Sequence, residues 1–335
     1  MNFTTPSQRL PALDFLRALA VTLVFFFHLN NSVFSAGWSG VFLFFVLSGY
    51  LIGRLTFKET EKTGSLSLKR FWIKRIFRTW PLYFTLLFLS IFRKSDISPP
   101  LIHYFTFTQN FYPQNTLIQS WSLAIEEQFY LFFPILILMI LKFRIQKWIP
   151  GLCVSGILFS YFFRFQNLGN GTHTFAAFDS LLWGILLAYA DTFQSKKLEF
   201  IRKQAVLFTL AGGLIAYSLF SLPSDSIGSH VFLQGFLGLG FAVVLSANTG
   251  KNPPLAKLGN LPGVSFIALI SYSIYLLQDR TLFWSNKIIA VLSLPIWMNP
   301  FAFVFIGTIS TIFIATVFYY FIEKPPLRWR DRILS

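Results

Sequence analysis

The 335-residue chain is 54% hydrophobic and 19% aromatic, with 43 Phe and 12% charged residues, and its mean hydropathy is +0.60. Soluble domains average about 25% charged residues, so the composition excludes an ordinary globular core and describes a membrane-embedded chain. The single Cys, Cys153, excludes a disulfide framework and a thiolate metal site, and the four His are scattered, so no metal is expected.

Apolar stretches long enough to span a bilayer fall at 13–31, 38–53, 79–92, 120–141, 149–163, 175–190, 204–222, 231–247, 264–280 and 299–322. This pattern predicts an all-α, polytopic membrane protein of about ten transmembrane helices, organised as one transmembrane domain over 1–335. Leu13–Leu29 lacks a small-residue cleavage site and another span follows it closely, so it is expected to stay as the first helix rather than leave as a signal peptide. With the N-terminus placed in the cytoplasm, 22 of the 28 Lys and Arg fall in cytoplasmic segments. Arg93, Lys94, Arg164, Arg280 and Lys287 fall on the other side, and Arg17 lies inside the first span. That asymmetry predicts both termini in the cytoplasm, with a basic loop at about 54–78 and a short tail at about 323–335. The net charge of +15 is then mostly topology, and no nucleic-acid partner is expected.

The first span, LDFLRALAVTLVFFFHL, carries Asp14, Arg17 and His28. Eleven residues at 100° each bring His28 to about 20° from Arg17 on the helical wheel, with Asp14 about 40° from His28. The axial rise between Arg17 and His28 is about 16 Å, half of a ~30 Å bilayer core. Ionisable groups at that depth cost a few kcal/mol each unless they face protein or a wet cavity. The plainer alternative is a snorkelling Arg and a His bonded to a neighbouring helix.

In the second stretch, Gly40, Ser48, Gly49 and Gly53 fit close helix packing. The second half of the basic loop, SLKRFWIKRIFRTW, interleaves cations with Phe, Trp and Ile and suits the membrane interface. Arg75 and Arg78 stand three apart there, a helical spacing that lets two guanidiniums share one phosphate. Residues 100–112 are aromatic but brief and read as an interfacial or re-entrant piece, and 281–296 reads similarly. Glu126 and Glu127 open the fourth span about 100° apart, so at most one faces a given cavity. Asp179 begins the sixth span, where a helix N-terminus favours a carboxylate. Ser271, Tyr272 and Tyr275 lie on the ninth.

His28 with Asp14 and Glu126 supplies acid–base chemistry near neutral pH, and Arg17, Arg75 and Arg78 supply anion binding. A phosphorylated donor docked on the arginines, with its reactive end near His28, fits the length of a coenzyme A thioester arm.

Five motifs in order then resemble the acyltransferase-three family of bacterial integral membrane acyltransferases. They are the Arg-x10-His pair in Asp14–His28, GVFLFFVLSGY at Gly40–Tyr50, RIFR at Arg75–Arg78, WSLAIEEQFY at Trp121–Tyr130 and FIEKP at Phe321–Pro325. The resemblance implies a ten-helix domain in the bacterial inner membrane. It implies acyl transfer, most often of acetyl, from cytoplasmic acyl-CoA to a hydroxyl of a cell-envelope or exported carbohydrate such as a lipopolysaccharide. By motif position Arg17 and His28 match the family's essential pair, Arg75 and Arg78 its donor-binding basic motif, and Glu126 the Glu of its W-S-L-x-x-E pattern. Asp179 matches a family acidic residue more loosely, and Ser48, Trp121 and Tyr275 complete the candidates.

Two departures stand out. Gln278 replaces the His that often closes the family's S-Y-S-x-Y-L-x-H motif, and the extracytoplasmic hydrolase-like domain that many relatives carry is not expected here. Acceptor acylation is therefore expected to be direct or through a separate extracytoplasmic acyl-handling protein. The expected chemistry has His28, polarised by Asp14 or Glu126, either deprotonating the acceptor hydroxyl or carrying the acyl group itself. The competing reading is a transporter of a sugar, lipid or proton using Arg17, His28 and Glu126 as a relay.

Overall fold

The computed structural model describes residues 10–93, 97–112, 116–117, 119–168, 171–218, 220, 227–292 and 299–334. Arg9 and Lys94, both counted in the charge asymmetry, lie outside the described residues, as do 293–296 of the segment read as interfacial. Every regular element among the described residues is helical. In order these are α1 (Pro11–Leu29), α2 (Gly40–Thr63), α3 (Leu68–Arg93), α4 (Leu101–Phe105), α5 (Ser120–Lys142), α6 (Ile149–Phe165), α7 (Thr174–Ala177) and α8 (Asp179–Phe193). There follow α9 (Ser195–Lys203), α10 (Ala205–Tyr217), α11 (Ile227–Ala247), α12 (Ala256–Gly259), α13 (Pro262–Leu292), α14 (Asn299–Phe318) and α15 (Lys324–Leu334). A π-helical segment, Tyr319–Glu323, joins the last two.

Five helical stretches are long and apolar enough to cross a membrane: Pro11–Leu29, Ser35–Thr63, Ser120–Lys142, Gln146–Phe165 and Pro300–Leu334. Ala205–Tyr217 and Val231–Ala247 are shorter apolar helices. The chain is therefore an all-α, multi-pass membrane protein. Phe132, Leu214 and Phe313, for example, point outward at 65%, 75% and 66% exposure, which suits a surface whose solvent is lipid.

Two boundaries differ from the sequence reading. The basic segment 54–78 is mostly helix rather than loop. Helix α2 runs on to Thr63 and α3 starts at Leu68, so only 64–67 form the connection. Gly64 ends α2 in the left-handed region at φ 70°, a conformation Gly adopts without steric cost, and its N–H bonds the Thr60 carbonyl. Residues 281–292 are not a separate interfacial piece but the continuation of α13, because their small and hydroxyl residues pack on α14: Thr281 meets Thr311 at 2.5 Å and Ser285 meets Ser310 at 3.0 Å.

Helix α1 starts with Pro11 in its first turn, where the missing N–H is no loss. It runs parallel to α13. Its start abuts Gly259, and at its other end Leu29 packs in one apolar cluster with Leu282. Helices α2 and α8 cross closely through two glycines. A Cβ on Gly49 would lie 2.1 Å from the Leu181 carbonyl oxygen, and one on Gly184 would lie 2.3 Å from that of Val46. The buried core beside this crossing holds Phe42, Phe45, Tyr50 and Phe57 of α2 with Leu181 and Ile185 of α8.

Candidate active site

A cavity of about 880 Å³ opens among α1, α2, α3, α5, α13 and the C-terminal α15. Its polar lining is strongly cationic. Arg17 of α1, Lys74, Arg75 and Arg78 of α3, and Lys324, Arg328 and Arg330 of α15 face three carboxylates, Asp14, Glu126 and Asp331. Helical spacing explains the convergence on α3, where Lys74, Arg75 and Arg78 share one side and the intervening Phe77 turns to pack on Trp329. Arg17 lies 3.4 Å from Asp14, and Arg78 lies 3.5 Å from Glu323 while stacking near Tyr272. Arg75 sits over the ring of Tyr130, and its buried Nε has no hydrogen-bond partner among the described residues. A cavity with this excess of guanidinium and ammonium groups suits a multiply charged anion, phosphates above all.

The adjacent glutamates divide as their 100° separation requires. Glu126 lines the cavity and accepts a 2.5 Å hydrogen bond from Ser48, whose hydroxyl also lies 3.3 Å from that of Tyr130. Glu127 turns the other way, buried against α3, and accepts from the Thr79 hydroxyl at 2.6 Å and the Trp80 indole at 3.0 Å. Ser48 is thus a cavity residue, whereas Gly40 and Gly49 make close backbone approaches. Tyr275 also lines the cavity, with its hydroxyl 2.6 Å from that of Ser122 and donating to the Gln119 carbonyl at 3.1 Å.

His28 lies outside the cavity lining, near the far end of α1. Its Nδ1 is 3.0 Å from Oδ1 of Asp279 on α13. This corrects the expectation that Asp14 or Glu126 polarises His28. Asp14 sits about 21 Å lower on the same helix by axial rise and pairs with Arg17, while Glu126 is held by Ser48. The carboxylate lies beside Nδ1, which leaves Nε2 as the ring nitrogen turned away from Asp279. Gln278, next to Asp279, is fully buried, and neither amide atom has a hydrogen-bond partner among the described residues.

Two candidates stand elsewhere. Asp179 is fully buried at the start of α8 in an ion pair with Arg164 at 2.9 Å, and Arg164 also donates to the carbonyls of Val231 and Ala176. It holds α6, α8 and α11 together and is absent from the cavity lining. Trp121 packs edge-on to Phe45 at 6.0 Å in the core, also outside the cavity lining. The relay imagined for a transporter is not contiguous, since Arg17, His28 and Glu126 each take a different partner. Sequence reasoning missed Asp279 and the cations of α15. The signal for Asp279 was a lone carboxylate on an apolar helix, one residue past a position already under scrutiny.

Fold and site together define a polytopic membrane protein with a cationic cavity and, beyond its lining, a His beside a carboxylate. A family profile described as an acyltransferase domain, of the acyltransferase-3 type, matches residues 10–320, and the chain belongs to this family. It is 29% identical over 97% of its length to a protein named peptidoglycan O-acetyltransferase OatA from Listeria monocytogenes, of which it covers 57%. It is 30% identical over 96% of its length to a putative O-acetyltransferase of Staphylococcus aureus strain MRSA252, covering 59% of that protein. A further relative, O-acetyltransferase OatA of Staphylococcus aureus strain NCTC 8325, is 29% identical over 94% of the chain and 57% of the relative. The chain thus spans under three fifths of the length of these relatives. No solved structure matches it significantly. With its apolar spans and bacterial relatives, it is a multi-pass protein of the bacterial inner membrane.

Proposed function

We propose that this chain is a membrane-bound O-acyltransferase that moves an acyl group, most commonly acetyl, from cytoplasmic acyl-CoA to a hydroxyl of a cell-envelope carbohydrate. The carrying observation is the cavity in which Arg17, Arg75 and Arg78 converge from two helices distant in sequence, with the His28–Asp279 pair about 16 Å further along α1. Nucleotide phosphates belong among the arginines, and an extended pantetheine arm carries the thioester toward His28. The basic residues concentrated at the cavity end support a cytoplasmic location for it, and the charge asymmetry supports ten crossings with both termini in the cytoplasm. A single transmembrane domain over 1–335 accommodates the whole arrangement.

In this reading Nε2 of His28 removes the proton from the acceptor hydroxyl. The oxygen attacks the thioester carbonyl, the carbon–sulfur bond breaks, and the CoA thiolate leaves and takes the proton from the imidazolium. Asp279 orients the ring and stabilises its positive charge. Glu126, through Ser48, and Tyr275 shape the passage that the arm follows. No cluster of three His, Cys, Asp or Glu suited to a metal occurs among the described residues, and none of these steps requires one. The acceptor approaches from the side opposite the donor, as a lipid-linked or exported carbohydrate. The name of the Listeria relative makes peptidoglycan the first acceptor to test. A separate extracytoplasmic protein that passes the acyl group on is the partner to seek.

Inverted membrane vesicles given acetyl-labelled CoA test the proposal. Label in glycan, dependent on this chain, supports it. No label in glycan or protein, with no CoA binding, would return the weight to transport. Label held on the protein at His28 would favour the acyl-imidazole route, in which Nε2 attacks the thioester first.

A further inference from the structure

Helix α15 presents its charges in the reverse of the usual sense. Lys324, Arg328 and Asp331 fall within about 60° on its wheel and line the cavity, while Trp329 and Ile333 lie about 140–180° from Lys324. Those two apolar side chains face outward, at 60% and 48% exposure. Trp329 packs on Phe77 of α3, which fixes the helix against the cavity wall. A helix serving only as a positive-inside anchor would turn its cations to lipid headgroups and water. This one sets Lys324, Arg328 and Arg330 on the cavity lining and leaves Arg332 outside it.

The cations there are not equally engaged. Arg330 is buried and bonded to Asp331 at 2.9 and 2.6 Å, so it is internally satisfied. Lys324 lies 4.4 Å from the ring centroid of Tyr320, which leaves its ammonium protons available. Lys74 of α3 and Arg328 have no ion-pair partner among the described residues, and Arg328 is exposed, which puts it at the cavity rim. The family profile ends at residue 320, and Arg328 lies beyond both it and the FIEKP motif that contains Lys324.

We propose that Lys324 and Arg328 of α15, with Lys74 of α3, form a second phosphate subsite at the cavity rim, distinct from the inner Arg17, Arg75 and Arg78 group. The ligand chemistry is a phosphomonoester dianion on a molecule whose other phosphates occupy the inner group. On the acyl-CoA reading above, on which this rests, that group is the ribose 3′-phosphate of the donor, and the inner arginines hold the diphosphate. An anionic lipid headgroup presents the same chemistry.

The test is direct binding to the full-length chain in nanodiscs of phosphatidylcholine, comparing CoA with 3′-dephospho-CoA. Wild type is expected to bind CoA roughly 10–100-fold more tightly, the range of one or two charge-assisted phosphate contacts. Arg328→Gln and Lys324→Gln should narrow that ratio to within about threefold, and Arg328→Lys should largely restore it. Arg75→Gln should weaken both ligands alike, leaving the ratio intact. Equal binding of the two ligands by wild type, or an unchanged ratio in Arg328→Gln, would overturn the subsite while leaving the donor reading standing. A preference for CoA that disappears when phosphatidylglycerol is added to the nanodiscs would assign these cations to lipid and likewise overturn it. If neither ligand binds, the acyl-CoA reading itself fails, and the subsite with it.

Discussion

Replacing Asp279 by Asn keeps the size and the hydrogen-bond acceptor opposite His28 but removes the negative charge. In the structure Nδ1 of His28 lies 3.0 Å from Oδ1 of Asp279, with the His28 and Asp279 side chains 25% and 32% exposed. Hydrogen bonds to charged partners contribute about 1.5–3 kcal/mol, and partial exposure places this one near the lower end, about 1.5–2 kcal/mol. If that energy supports the imidazolium formed during proton removal, its loss slows transfer by roughly 10–30-fold. The donor KM should move by less than about twofold, since neither residue lines the cationic cavity. Initial rates of acetyl transfer in inverted vesicles, normalised to protein, give both quantities. In a His28→Ala background the Asp279→Asn change should have no further effect, because the two act as one unit. A variant rate within twofold of wild type, or an equal loss in the His28→Ala background, would refute the role given to Asp279.

The remaining predictions concern donor binding and the scaffold. Arg75→Gln should raise the acetyl-CoA KM by about tenfold with a smaller effect on kcat, as expected for a lost charge-assisted phosphate contact; an unchanged KM would remove Arg75 from the donor site. Gly184→Val should force apart the α2–α8 crossing, since even a Cβ would lie 2.3 Å from the Val46 carbonyl oxygen. The expected cost is at least about 1–3 kcal/mol, read as a lower thermal midpoint in detergent. Arg164→Met would leave the fully buried Asp179 carboxylate without its partner, costing about 3–5 kcal/mol, whereas Asp179→Asn should cost less. Equal midpoints for Arg164→Met and wild type would show that the pair does not hold α6 and α8 together.

What the sequence made legible follows from what short-range periodicity encodes. The rise and rotation of an α-helix put Arg17 and His28 on one face about 16 Å apart, and in the structure Arg17 lines the cavity while His28 meets Asp279 of α13. The same rotation separated Glu126 from Glu127 before their partners were known. Partner identity was less accessible, because it depends on which distant helix lies alongside. Helix α13 runs parallel to α1 and brings residue 279 to residue 28, a contact that no local pattern specifies. Asp179 shows the same dependence on packing. An acidic residue at a helix start looks the same in sequence whether it faces a ligand or a buried Arg, and only the packing of α6 on α8 decides. Helix ends were misjudged where charges extend a helix past its apolar stretch, as in α2 and α3. Hydropathy follows the lipid, whereas the backbone hydrogen bonds continue into water.

The most direct measurement pairs CoA binding with acetyl transfer in the same vesicles, for wild type and His28→Ala. If His28 performs the chemistry beyond a separate donor cavity, the variant keeps wild-type CoA affinity within about twofold and loses transfer by at least about 100-fold. Transfer by His28→Ala within twofold of wild type, at equal expression, would contradict the account at its centre.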